Sequence, residues 1–260
     1  MIKKRPLSEN RPLALVTGAS SGIGSSIARE LALYGMDLFL TGRNASRLDQ
    51  LANDLKALGV NVQTLALDLN AGSLEVLMKQ LEGKDLDVVV NNAGFGWSGA
   101  FAEMPEERAQ AMLSLNIEVL TLLTRKLLPQ LLKRGAGRIL NVASTAAFSP
   151  CPTLAVYAAT KSYVLSFSEA LSTELHGTGV SVTALCPGAT KTRFAETASM
   201  DVAKFSRSAM TADEVARQGV KALLKGKRSL VTGAPNALMA FLTRLIPRSL
   251  AANAAGAMLR

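Results

Sequence analysis

Asn116, Ser144, Tyr157 and Lys161 are the residues of this chain whose types and spacing suit proton handling. The tightest part is Tyr157-Ala158-Ala159-Thr160-Lys161. Side chains four apart share one face of a helix. A phenol titrates near ~10, too high for base work at neutral pH. A cation beside it favours the phenolate and lowers that value. The pair is therefore expected to make Tyr157 an acid or base near pH ~7. Such a pair also occurs on many solvated helices, so the surrounding elements must give it a purpose.

The 260 residues are enough for one large α/β domain. The single histidine, His176, argues against a Ser-His-Asp hydrolase or a histidine-based zinc site, and no metal is expected. Cys186 ends an apolar run and reads as core, while Cys151 sits between prolines as a free thiol. Two cysteines without a cluster fit a reducing compartment. No apolar run reaches the ~20 residues that span a bilayer. The basic start, Met1 to Pro6, lacks the apolar stretch of a signal peptide, so a cytoplasmic location is expected.

The net charge of +9 is unevenly placed. Residues 1–12 carry +3, and residues 221–260 carry seven basic and no acidic residues. The body between them is −1. A neutral body excludes a basic nucleic-acid groove across the domain. A basic end leaves room for contact with a polyanion or a membrane surface.

Seven apolar runs read as strands: Leu13–Thr17, Asp37–Thr41, Val60–Ala66, Leu86–Val90, Arg138–Val142, Val180–Cys186 and Ser229–Val231. Helical patterns at 22–34, 45–58, 71–81, 105–130 and 153–176 alternate with them. Apolar strands alternating with helices predict a doubly wound, Rossmann-like parallel sheet covered on both faces. The expected division is a flexible basic tail (1–12), one dinucleotide-binding and catalytic domain (13–233) and a helical extension (234–260).

The first strand runs into Gly18-Ala19-Ser20-Ser21-Gly22-Ile23-Gly24 and then a helix. Glycines there let the backbone approach a pyrophosphate, and the helix N-terminus holds its charge. The second strand ends in Leu40-Thr41-Gly42-Arg43, with Arg47 one turn on. An acidic residue at that place would bind the ribose hydroxyls of NAD. An arginine fork suits a 2′-phosphate instead, which predicts NADP(H).

With these elements in order, the chain resembles the short-chain dehydrogenase/reductase family over roughly residues 11–233. The resemblance rests on Thr17 to Gly24, Asn91-Asn92-Ala93-Gly94, Asn116, Ser144 thirteen positions before Tyr157, the Tyr157–Lys161 pair, and Pro187-Gly188. It implies that Tyr157 gives a proton to a carbonyl oxygen. Lys161 would hold the nicotinamide ribose and lower the pKa of the tyrosine. Ser144 would bind the substrate oxygen, and Asn116 would support a water-linked relay to the lysine.

Cofactor contacts are then expected from Gly18, Ser20, Ser21, Gly22, Ile23 and Gly24, and from Arg43 and Arg47. Asp68 resembles the family's adenine-contacting aspartate, with Leu69 beside it. Asp68 or Asn70 could equally cap the next helix. Asn92, Ala93 and Gly94 would line the cofactor's path. Tyr157, Lys161, Pro187, Gly188, Thr190 and Thr192 would border the nicotinamide.

The implied activity is NADPH-dependent carbonyl reduction, or the reverse alcohol oxidation. The alternatives are a 3-oxoacyl thioester reductase of lipid metabolism and a non-catalytic NADP-binding regulator. The segment 192–209, with Phe194, Met200 and Phe205, is either an apolar substrate lid or ordinary core packing. The loop from Phe95 to Gly99, with Phe148, could form another pocket wall. The tail from Pro235 reads as an amphipathic helix, a break at Pro247 and a short alanine-rich helix. It packs on its own subunit or an oligomeric partner, or it meets an anionic membrane surface or an acyl carrier's phosphates. A homodimer or homotetramer is expected by analogy.

Overall fold

The computed structural model describes residues 11–200 and 209–259. Residues 1–10 of the expected tail, and Phe205 of the expected lid, lie outside them. Seven strands form one sheet: β1 (Leu13–Thr17), β2 (Asp37–Gly42), β3 (Val62–Ala66), β4 (Leu86–Asn91), β5 (Gly137–Val142), β6 (Val180–Cys186) and β9 (Ser229–Val231). Their order is β3-β2-β1-β4-β5-β6-β9, and every neighbouring pair is parallel. β7 (Thr190–Lys191) and β8 (Met210–Thr211) make a separate short parallel pair.

Residues of the central strands alternate between two cores. Ala14, Val16, Val88, Val90, Leu140 and Val142 face one side. That side is covered by α1 (Gly22–Leu33), α2 (Ala45–Lys56) and α8 (Ala212–Leu224). Leu15, Val89, Ile139 and Val182 face the other. There they meet α3 (Leu74–Leu81), α5 (Leu120–Arg134) and α6 (Ala155–Glu174). Burial on both faces is why these strands read as nearly continuous apolar runs.

The strands fall where the pattern placed them, with ends moved by up to two residues. The expected long helix at 105–130 is in three parts: α4 (Glu106–Leu113), a π-helical stretch at Ser114–Val119, and α5. Apolar periodicity runs through such a stretch without a visible break, so it is not legible in the pattern. The helix expected at 71–81 opens with a 3-10 turn at Ala71–Ser73, capped by Asn70. Asn70 Oδ1 accepts from Ser73 N, and Ser73 Oγ accepts from Asn70 N. Asn70, not Asp68, is therefore the cap.

After β7 comes the short helix α7 (Phe194–Thr197). The tail forms α9 (Ala234–Leu242) and α10 (Arg248–Leu259), separated at Pro247. None of the described helices is long and apolar enough to cross a membrane.

Candidate active site

The carboxyl ends of β1, β4, β5 and β6 open on one cavity of about 1550 Å³. That is more than one small ligand needs. At one end lie the glycine turn, Arg43 and Asp68; at the other lie Ser144, Tyr157, Phe194 and the tail helices.

The nucleotide end is built on hydrogen bonds between strand ends. Thr17 Oγ1 donates to Val90 O at 3.1 Å. The same oxygen accepts from Asn92 N at 3.0 Å and Ala93 N at 3.1 Å. Asn92 Nδ2 donates back to Thr17 O at 2.9 Å. The glycine turn and the Asn-Asn-Ala-Gly segment are thus tied together. Gly18 and Gly22 have φ of +64° and +60°, which favours glycine. A Cβ at Gly18 would also lie 2.8 Å from Asn92 Nδ2. The walls come close enough for a backbone-lined phosphate cradle, so the residues present fit a dinucleotide.

All the expected cofactor residues line this cavity except Gly24 and Arg47. Gly24 faces the other way, packed against Gly18 O and the Asn92 amide, where it permits close contact between helix and turn. Arg47 is exposed on α2, and its N–H donates to the cap residue Asn44. Asn44 lines the wall instead. Arg43 Nε lies 4.0 Å from Asp68 Oδ1, with both side chains more than 70% exposed. Such an exposed pair is weakly held, which leaves the guanidinium available to a phosphate.

At the other end Tyr157 and Lys161 are both buried on α6. Lys161 Nζ donates to Val142 O at 2.8 Å and lies 5.8 Å from the centre of the Tyr157 ring. Burial pushes the Tyr157 phenol up to about 12, against a smaller lowering by its hydrogen bond with Ser144. Burial also lowers the Lys161 ammonium to about 8. Four-residue spacing predicts a depressed phenol; the folded protein holds a raised one, because desolvation outweighs the hydrogen bond with Ser144. At neutral pH the Tyr157 phenol therefore carries its proton. Ser144 caps a 3-10 turn, its Oγ accepting from Ala146 N at 3.1 Å.

Asn116 sits in the π-helical stretch and does not line the cavity. Its Nδ2 donates to Phe95 O and Thr160 Oγ1, each at 3.0 Å, and its Oδ1 accepts from Phe95 N at 3.2 Å. π-helical turns are frequent at functional sites. Here the turn carries an amide that clamps the loop after β4 to α6, next to Lys161.

The substrate end has three walls. Phe194 of α7 packs on Tyr157 with ring centres 5.1 Å apart. Arg108 of α4 donates from Nη2 to Thr197 O at 2.7 Å and stacks 4.7 Å above Phe95. The loop after Phe95 is stitched by Ser98 N to Ala198 O at 2.8 Å and by Gly99 N to Thr153 O at 2.9 Å. Phe95 and Phe148 line the cavity, whereas Trp97 does not. Cys151 also lines it, and burial raises its thiol pKa. The third wall is the tail, through Met239, Leu242, Ile246 and Ala255 among others. Arg108 and Asn236 carried no motif signal. Asn236 Nδ2 donates to Thr232 O at 2.8 Å and stands over Gly188.

A glycine-lined cleft at the strand ends, joined to a buried Tyr-Ser-Lys group, defines a dinucleotide-dependent oxidoreductase. The family profile described as short chain dehydrogenase matches residues 12–203, and the chain belongs to that family. It is 40% identical over 184 residues to an NADP-dependent 3-hydroxy acid dehydrogenase of Salmonella typhi, spanning 68% of this chain and 71% of that one. It is 31% identical over 248 residues to a very-long-chain 3-oxoacyl-CoA reductase of Anas platyrhynchos, spanning 92% and 77%. A short-chain dehydrogenase from Sphingobium yanoikuyae in complex with NADPH superimposes with a TM-score of 0.81 at 32% identity. That likeness covers 93% of this chain and 99% of the other.

Proposed function

We propose that this protein is an NADPH-dependent reductase of bulky, apolar ketones or aldehydes, able to run in reverse as an alcohol dehydrogenase. The observation that carries the reading is the placing of the buried, neutral Tyr157 at the meeting point of the glycine-lined cleft and the apolar end of one cavity. When bound, the reduced nicotinamide supplies the hydride that reaches the carbonyl carbon. The Tyr157 phenol gives its proton to the carbonyl oxygen, and Ser144 Oγ holds that oxygen by a hydrogen bond. Lys161, when charged, stabilises the phenolate that forms. Asn116 acts as a positioning residue, through Thr160 and the Phe95 backbone. Arg43, reaching from the end of β2, takes the 2′-phosphate, which supports NADP(H) over NAD(H).

A 3-oxoacyl thioester reductase is the second reading, favoured by the apolar tail wall and the likeness to the Anas reductase. We place the enzyme in the cytoplasm as a homo-oligomer, with residues 13–233 forming the catalytic domain. Wild type, Tyr157→Phe and Arg43→Ala, assayed with NADPH and NADH on bulky ketones, small aldehydes and acyl thioesters, test the reading. Tyr157→Phe is expected to lose about 10²–10⁴ in kcat. Arg43→Ala is expected to raise KM for NADPH about tenfold or more, leaving NADH nearly unchanged. Wild type that oxidises NADPH with none of these carbonyls would leave the non-catalytic regulator as the better reading.

A further inference from the structure

The α9 segment carries an apolar ridge turned to solvent. Leu238, Phe241 and Leu245 are 59%, 56% and 67% exposed. Spacings of three and four set them on one side of a helical path. Arg244 N donates to Phe241 O, and Leu245 N donates to Leu242 O, which carries that path past the end of α9. The adjoining side bears Met239, Leu242 and Ile246, which are exposed and also line the cavity. One short segment therefore supplies both the ridge and an apolar rim of the cavity mouth. Apolar surface clustered in this way marks an interaction site. Arg244 and Arg248 are exposed beside it, and no acidic residue follows Glu214 in the sequence.

We propose that this ridge docks on an anionic lipid surface, so that the mouth beside it takes an apolar carbonyl substrate directly from the lipid. The proposal rests on the oxidoreductase reading only for the nature of that cargo. Apolar side chains flanked by arginine, without carboxylates, suit the acyl–headgroup boundary of anionic lipid. A second copy packed here about a twofold axis would set this arginine-bearing segment against its own twin, with no carboxylate from either segment to offset the charge. Two arginines and a short ridge give reversible docking rather than permanent anchoring.

Flotation of the full-length protein with phosphatidylcholine vesicles, with and without phosphatidylserine, tests the docking. Wild type is expected to float with the anionic vesicles and at least about tenfold less with the neutral ones. The triple variant Leu238→Ser, Phe241→Ser, Leu245→Ser should lose flotation. The milder Phe241→Ser alone should weaken it by about threefold or more. None of these three positions lines the cavity, so NADPH oxidation with a small water-soluble aldehyde should be unchanged and reports an intact fold. With an apolar ketone carried in anionic vesicles, kcat/KM of the triple variant should fall about tenfold. Wild type that floats with neither vesicle, or a triple variant that floats like wild type, would overturn the proposal. So would a triple variant whose mass in solution drops without lipid, since the ridge would then join two copies. If wild type floats but no carbonyl oxidises NADPH, the docking stands and the oxidoreductase reading fails.

Discussion

Tyr157 and Lys161 show how far spacing alone carries chemistry. Four residues on a helix put both on one face, but the charge state depends on what covers them. Burial moves the phenol up to about 12 and the ammonium down to about 8. In the proposed reduction the phenol proton and the lysine charge act together. Its kcat/KM should therefore hold below about pH 8 and decline above it, as Lys161 loses its proton. A profile flat to strongly alkaline pH would contradict this. The same lysine leaves a mark on folding. An unfolded lysine titrates near ~10.4, so from about pH 8 to that value the unfolded chain binds the extra proton. Lys161 therefore makes the cofactor-free protein more stable as pH rises through that window, and costs stability below it. Lys161→Met should abolish turnover and raise the melting temperature at pH 7, and its advantage over wild type should shrink as pH rises above about 8. Thermal melts of the two proteins across pH would check it.

The elements around the substrate end form a clasp. α4, the loop after Phe95 and α7 have no common sequence motif, yet Arg108 touches all three. Its guanidinium lies on Phe95 and donates to Thr197 O. Among the described residues, two non-glycine residues have positive φ, Thr153 and Ser199; they flank the same wall, and such strain clusters at ligand clamps. Arg108→Met keeps an apolar stem over Phe95 but removes the donor. It should raise KM for a bulky carbonyl about tenfold while KM for NADPH stays within about twofold. Steady-state kinetics varying each substrate separates the two. Equal rises in both would mean a general loosening and not a clasp. In its described part the segment 192–200 packs Phe194 on Tyr157 and sets Met200 on the cavity wall, an arrangement that suits a lid and ordinary core packing alike.

Across the whole molecule, the parallel sheet brings its strand ends together and the tail then closes the cavity. Ala255, near the end of the chain, packs in the cluster that holds Tyr157 and Leu154. Small side chains at Ala251, Ala254 and Ala255 leave room on that wall. Ala255→Phe should therefore reject bulky ketones, lowering kcat/KM by about tenfold or more, with a small aldehyde much less affected. Comparing the two substrates on the purified variant reads this directly. Similar losses on both would indicate damage to the Tyr157 cluster itself.

Strand positions, the glycine turn, Arg43 and the Ser144–Tyr157–Lys161 spacing were legible in the sequence by itself. Each depends on local rules: alternation of apolar residues, glycine where backbones crowd, and helix periodicity. The resemblance to the family rested instead on those motifs standing in the family's order. Three things were decided only by tertiary structure. The phenol is raised and not lowered, because desolvation depends on every neighbour that excludes water. The long fourth helix opens into a π-helical stretch where Asn116 bonds to Phe95 and Thr160, which are distant in sequence. The basic tail becomes a wall of the substrate cavity, because packing brings together residues that no local pattern connects. Helix periodicity showed that the tail had an apolar face; only the folded chain shows one part of that face turned to the cavity and another to solvent.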